Sequence, residues 1–140
     1  MPVEVREIRR VLPDDVAASL ERVYVDCPGM ASAEDALGRV RAGLARGDRF
    51  YAGLFNGKWI AGVLVVGEGA ERFLRYLAVH PATRGRGVAE RLIGEVRRLE
   101  SELGEGYLVS GFDLSQEGLP EMLLAMGFIP HGDDGYRCQL

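Results

Sequence analysis

Apolar and polar residues alternate over VEVREI, residues 3–8, the two-residue period of a half-buried strand. From Pro13 to about Tyr24 the period lengthens to that of a helix, with Val16, Leu20, Val23 and Tyr24 on one face. Ser32, followed three residues later by Asp35, forms a capping box ahead of a second helix that carries Leu37, Val40, Arg41 and Leu44 before Gly47 stops it. RFYAGLFNGKWIAGVLVV (49–66) holds two β-rich runs around Asn56-Gly57, a dipeptide that takes the positive φ angles of a tight hairpin. RFLRYLAVH (72–80) predicts a further strand, ended by Pro81. Val88, Leu92, Ile93, Val96, Leu99 and Leu103 then fall at helical spacing. YLVSGF (107–112) predicts a strand, Leu119 to Met126 a short helix ended by Gly127, and GFIPHGDDGYRC (127–138) one strand or a pair. The order β-α-α-β-β-β-α-β-α-β predicts an α/β or α+β domain whose front half is mostly antiparallel.

The chain has 140 residues, 47% of them hydrophobic, enough for one domain over residues 1–140 with a real core. No internal repeat, low-complexity tract or linker divides it. No apolar run approaches the roughly 18 residues of a membrane span, and MPVEVREIRR lacks a signal core, so a cytoplasmic location is expected. Cys27 and Cys138 stand far apart, and with His80 and His131 they match no metal or redox spacing; HGDD (131–134) reads as a polar turn. No metal is expected.

The net charge of −4 argues against nucleic acid as the main partner. Its distribution says more. Residues 72–98 hold seven arginines against two glutamates, a local +5 within an acidic chain. A basic island of this kind suits a small anionic ligand. Arg91, Arg97 and Arg98 fit a solvated helix face, whereas Arg84 and Arg86 fall in a loop. That loop, Arg84-Gly85-Arg86-Gly87, joins a strand to a helix N-terminus, where unpaired N–H groups and the helix dipole attract anions. Glycines there permit close approach, and arginine forks suit phosphate oxygens. The chemistry is that of phosphate or pyrophosphate binding; a plain strand-to-helix turn relieved by glycine is the alternative the segment leaves open. A dinucleotide fingerprint fails because Glu90 stands where its third glycine is needed, and a P-loop fails because Gly57-Lys58 is followed by Trp59.

LAVHPATRGRGVAERLI (77–93) resembles the acyl-CoA signature [RQ]-x-x-G-x-[GA] of the GNAT (Gcn5-related N-acetyltransferase) superfamily, with Arg84, Gly87 and Ala89 at the fixed positions. AMGF (125–128) resembles the LGF near the end of such domains, and the element order is also that of the GNAT fold, a mixed, mostly antiparallel sheet flanked by about four helices. The resemblance implies acetyl-CoA binding. The diphosphate would lie on the N–H groups of Gly85, Arg86, Gly87, Val88 and Ala89, with Arg84 and Arg86 nearby, and the pantetheine would pair with the backbone of Leu77, Ala78 and Val79.

Acetyl transfer needs a base for the ammonium proton and usually an acid for the leaving thiolate. GNAT members often carry a glutamate and a tyrosine at the positions held here by Phe73 and Leu123, neither of which moves a proton. Tyr76, placed by alternation on the side opposite Phe73, and Glu71, Tyr107 and Asp113 are conceivable substitutes. A closer resemblance runs through LERVYVDCPG, RFYAGLFNGKWIAGVLVV, LAVHPATRGRGVAERLIGEV and LLAMGFIPHGDDGYRC, which look like the PanM/PanZ group of the superfamily. That resemblance implies an acetyl-CoA-dependent maturation and regulatory partner of the aspartate α-decarboxylase precursor. Asn56, Arg72 and Arg75 are then candidate partner contacts, although Asn56 is also what the hairpin turn demands. The alternative is an N-acetyltransferase acting on a primary amine.

Overall fold

The computed structural model describes residues 2–110, 118–132 and 135–140. The chain runs β1 (Glu4–Arg9), α1 (Asp14–Leu20), α2 (Ala33–Ala45), β2 (Arg49–Phe55), β3 (Lys58–Val66), β4 (Glu71–Val79), α3 (Val88–Leu103), β5 (Tyr107–Ser110), α4 (Leu119–Ala125), β6 (Ile129–His131) and β7 (Gly135–Gln139). The strands form one seven-stranded sheet in the order β1-β2-β3-β4-β5-β7-β6. Every neighbouring pair is antiparallel except β4 and β5, which run parallel. The final segment is thus a pair of strands. Gly111 and Phe112 of the expected YLVSGF strand, and Asp133 and Asp134 of HGDD, lie outside the described residues.

Local chemistry sets most boundaries as expected. Ser32 Oγ accepts from the Asp35 N–H at 3.0 Å, and Asp35 accepts in turn from the Ala31 N–H, so α2 opens on a reciprocal cap. Asn56 (φ 48°) and Gly57 (φ 74°) both take positive φ in the β2–β3 turn. The first helix is shorter than its periodicity predicts and ends at Leu20. Val23 and Tyr24 stay fully buried because the chain leaves the helix inward, with the Tyr24 hydroxyl donating to the Tyr76 carbonyl at 2.7 Å. Gly62 makes room for it, since a Cβ there would sit 2.8 Å from that hydroxyl and 2.5 Å from the Phe50 ring.

Two apolar layers sandwich the sheet. One, with Leu20, Tyr24, Leu37, Val40, Phe50 and Leu64, lies under α1 and α2. The other, with Tyr51, Val63, Leu74, Leu92, Ile93, Val96 and Phe128, lies under α3 and α4. Within the second layer Glu100 is fully buried. Its carboxylate takes two 2.7 Å bonds from Arg49 Nε and Nη2 and a 2.5 Å bond from the Tyr51 hydroxyl. Arg72 donates to the carbonyls of Glu100, Gly104 and Glu105 at 2.6–3.1 Å, closing the carbonyl end of α3. A buried charge is tolerable only when so paired.

Glu100→Leu leaves two buried guanidinium groups without their carboxylate and should cost about 3–5 kcal/mol. Glu95→Ala, which removes one partner of the exposed Arg98, should change stability by less than about 1 kcal/mol. Urea denaturation of the two variants checks the contrast.

Candidate functional site

β4 carries one residue more than β3 between two paired stretches. Leu64 faces Arg75 and Gly62 faces Ala78, so Val63 stands opposite both Tyr76 and Leu77. Tyr76 absorbs the kink with a φ of 55°. The bulge resets the alternation of side chains. Leu74, Leu77 and Val79 enter the layer under α3, whereas Tyr76 and Ala78 pack on the α1–α2 layer. Tyr76 therefore lies on the same side as Phe73, not the opposite side that strict alternation predicts.

β5 pairs β4 only from Glu71 to Leu74 among the described residues. Further along β4, Leu77, Ala78 and Val79 line a cavity of about 390 Å³ together with Asp26, Cys27, Pro28, Arg84 and Gly85. The three backbone positions expected to pair with a pantetheine thus face the same space as the start of the arginine-glycine loop.

The segment between α1 and α2 closes one wall. Cys27 Sγ lies 3.9 Å from the Leu77 carbonyl, and Arg84 Nε donates to the Val79 carbonyl at 3.0 Å. The Arg84 fork grips Asp26, with Nη1 donating to Oδ2 at 2.8 Å and Nη2 donating to Oδ1. Hydrogen bonding to Arg84 holds the Asp26 carboxyl below its ordinary range. A carboxylate so depressed keeps the pair intact at neutral pH, and the pair is lost as pH falls through that lowered range. Asp26 was not legible in the sequence: it stands 58 positions from its partner, and no local pattern links them.

The loop then turns into α3 through Gly85 (φ 76°) and Gly87 (φ 78°), left-handed conformations that glycine takes without strain. Gly87 is the N-cap, and no side chain caps the helix. The first N–H groups of a 16-residue helix therefore point outward with no partner from a side-chain cap. Val88 is buried and Ala89 half-buried, which anchors the loop from the inside.

The remaining expected positions divide. Phe73 is half-buried under the Arg75 guanidinium, 5.4 Å from the ring centroid. Leu123 is fully buried core. Glu71 is exposed, and Tyr107 lies beneath the Arg137 guanidinium at 4.4 Å. Asp113 lies outside the described residues. Asn56 is exposed at the hairpin tip, but Arg72 is only 2% exposed and spends its nitrogens on backbone carbonyls. A side chain so enclosed closes α3 and does not reach a partner.

Family comparison gives this geometry its context. The profile for the acetyltransferase (GNAT) domain of the PanZ type matches residues 2–137. The chain belongs to this family. A sequence search of curated proteins returns no match. Among solved structures, the IAA acetyltransferase of Bacillus cereus ATCC 14579 superposes with a TM-score of 0.73 at 13% identity, covering 99% of each chain. The ribosomal-protein-S18-alanine N-acetyltransferase of Escherichia coli gives 0.73 at 14% identity, over 98% of this chain and 90% of that one. A GNAT acetyltransferase of Elizabethkingia anophelis, solved with acetyl-CoA bound, gives 0.71 at 11% identity, over 99% and 98%. The mixed seven-stranded sheet with four helices is the GNAT fold.

Burial, and secondarily the charge of Asp26, pushes the Cys27 thiol up to about 11. At pH 8 only about one thiol in a thousand is then ionised, against roughly a quarter for a free cysteine. In a Cys138→Ser background, reaction with a disulfide reagent should be slow at pH 8 and accelerate up to about pH 11; prompt reaction at pH 8 would contradict the burial.

Proposed function

We propose that the chain binds acetyl-CoA across β4 and the start of α3, and acts as an acetyl-CoA-dependent maturation and regulatory partner of aspartate α-decarboxylase. The observation that carries the binding reading is the nearness of two backbone arrays: β4 at Leu77, Ala78 and Val79, which lines one cavity with Arg84 and Gly85, and the N-terminus of α3, which has no side-chain cap. An extended amide-bearing arm suits the first, by the hydrogen bonding that adds a strand to a sheet edge. A diphosphate suits the second, where Gly85 and Gly87 leave no Cβ in the way. Leu77, Ala78 and Val79 would hold the arm. The N–H groups of Gly85, Arg86, Gly87, Val88 and Ala89 would hold the diphosphate, with Arg84 and Arg86 supplying positive charge.

Bound acetyl-CoA supplies an acetyl group as a thioester. The chain's own part in this reading is to bind and to present. Arg84 is central, because its guanidinium joins the diphosphate loop, the Val79 carbonyl and Asp26. A diphosphate drawing on that guanidinium would compete with Asp26, and so alter the hold on the segment carrying Asp26 and Cys27. Ligand occupancy would thereby reach a surface that a partner can read. Asn56 and Arg75 remain as proposed partner contacts; Arg72 does not.

The catalytic alternative is transfer of acetyl to a primary amine, which the family description favours. Against it, the two positions where GNAT members often keep a proton carrier hold Phe73 and Leu123, one beneath a guanidinium and the other in the core.

Arg84→Glu reverses a charge at the loop and sets a second carboxylate against Asp26. Loss of one charge-assisted contact should weaken acetyl-CoA binding about tenfold or more by calorimetry, with Arg98→Glu, an exposed site on α3, as the unchanged control. Function itself is read on a gel. The decarboxylase precursor should self-cleave only when both this protein and acetyl-CoA are present; release of free CoA thiol in the presence of an amine, with no effect on the precursor, would assign the chain to the acetyltransferases instead.

A further inference from the structure

A second cavity lies apart from the one beside Leu77, Ala78 and Val79. It encloses about 680 Å³ between α1, the β2–β3 hairpin tip and the turn after β4. Arg22 lines it from the turn after α1, Asn56, Lys58 and Trp59 from the hairpin, His80 from the end of β4, and Arg86 from the loop before α3. Among the described residues no aspartate or glutamate lines it.

The state of the three cations is unusual for this chain. All 17 lysines and arginines fall among the described residues. Nine of them hold an acidic side chain in an ion pair. Arg91 and Arg97 bond to carbonyls, and Arg75 and Arg137 lie over aromatic rings. Only Arg10, Arg22, Lys58 and Arg86 are left with no side-chain partner among the described residues. Three of these four converge on this one cavity from three separate elements. In an acidic protein, uncompensated cations are kept together only at an electrostatic cost, which an anion relieves.

The rest of the lining matches. His80 Nδ1 accepts from the Ala82 N–H at 3.1 Å, so a neutral His80 ring carries its proton on Nε2 as a further donor. The Asn56 amide and the Ser19 hydroxyl add neutral donors, and Trp59 gives a flat apolar wall. The volume is that of a small-molecule pocket. We propose that this cavity is a binding site for a small organic polyanion carrying phosphate or carboxylate groups, centred on Arg22 and Lys58 and bordering the proposed acetyl-CoA site at Arg86.

Trp59 is the only tryptophan of the chain, so its fluorescence reports on this cavity alone. The experiment titrates full-length protein with inorganic pyrophosphate and, in a second arm, with citrate, against sodium chloride at matched ionic strength. Each titration is run without ligand and again with saturating acetyl-CoA. A saturable change in Trp59 emission is expected in both states and not with sodium chloride. Arg22→Ala and Lys58→Ala, both exposed positions, should each weaken it about tenfold, with Lys58→Arg retaining it. The arm that binds more tightly names the anionic group. No saturable change in either arm overturns the proposal. So does a response that acetyl-CoA abolishes and the two variants leave intact, because the anion then sits on the diphosphate loop. If Arg22→Ala and Lys58→Ala weaken acetyl-CoA itself, the cavity belongs to the coenzyme and the proposal is also lost. Failure of acetyl-CoA to bind at all appears in calorimetry and leaves the ligand-free titration decisive.

Discussion

Val63 faces two residues of β4 where a regular ladder would give it one, and a strand with an extra residue cannot keep register and direction with both neighbours. β4 keeps its pairing with β3 through to Val79, and among the described residues it pairs with β5 from Glu71 to Leu74. The turn of Leu77 and Val79 toward α3 and the arrival of Tyr76 against the α1–α2 layer follow from the extra residue. The bulge is held from outside the strand. The Tyr24 hydroxyl bonds the Tyr76 carbonyl, and Gly62 clears the space for it. A backbone held at φ 55° by a tyrosine needs such support.

At the other end of the same strand the constraint is ionic. Arg72 and Arg49 meet at Glu100, and between them they fix the carbonyl end of α3 to β2 and β4. The helix is thus secured where it finishes, and its beginning adjoins the arginine-glycine loop. A helix free at its N-terminus and anchored at its C-terminus presents unpaired N–H groups on a rigid base, which is the condition for binding an anion without a large ordering cost.

How much of this could be read in advance depends on whether the signal is local. Asn56-Gly57, the Ser32–Asp35 cap and the apolar stripe of α3 act over a few residues, and the fold follows them. Glu100 had a signal of its own, since it sits four residues after Val96 on the buried stripe, where a lone charge demands a partner. The periodicity of Arg72 gave no such warning, because a guanidinium at a strand position is buried or exposed according to what lies across the sheet. The bulge has no glycine to mark it, and the Asp26–Arg84 pair joins distant segments. The loop 84–89 was conspicuous in the sequence; the wall that faces it was not.

The carbonyls engaged by Cys27 and Arg84 have a meaning beyond ligand binding. An unpaired strand edge in the middle of a sheet is an invitation to any other extended chain, and proteins that leave one open tend to aggregate through it. Here the Leu77 and Val79 carbonyls are covered by a thiol and a guanidinium from the chain itself. The covering is light, a sulfur contact and one hydrogen bond from a guanidinium that also holds the exposed Asp26. The same two contacts that cover these carbonyls are the ones an arm bound as proposed would have to displace, so a substitution that strengthens the cover would also weaken entry of the arm.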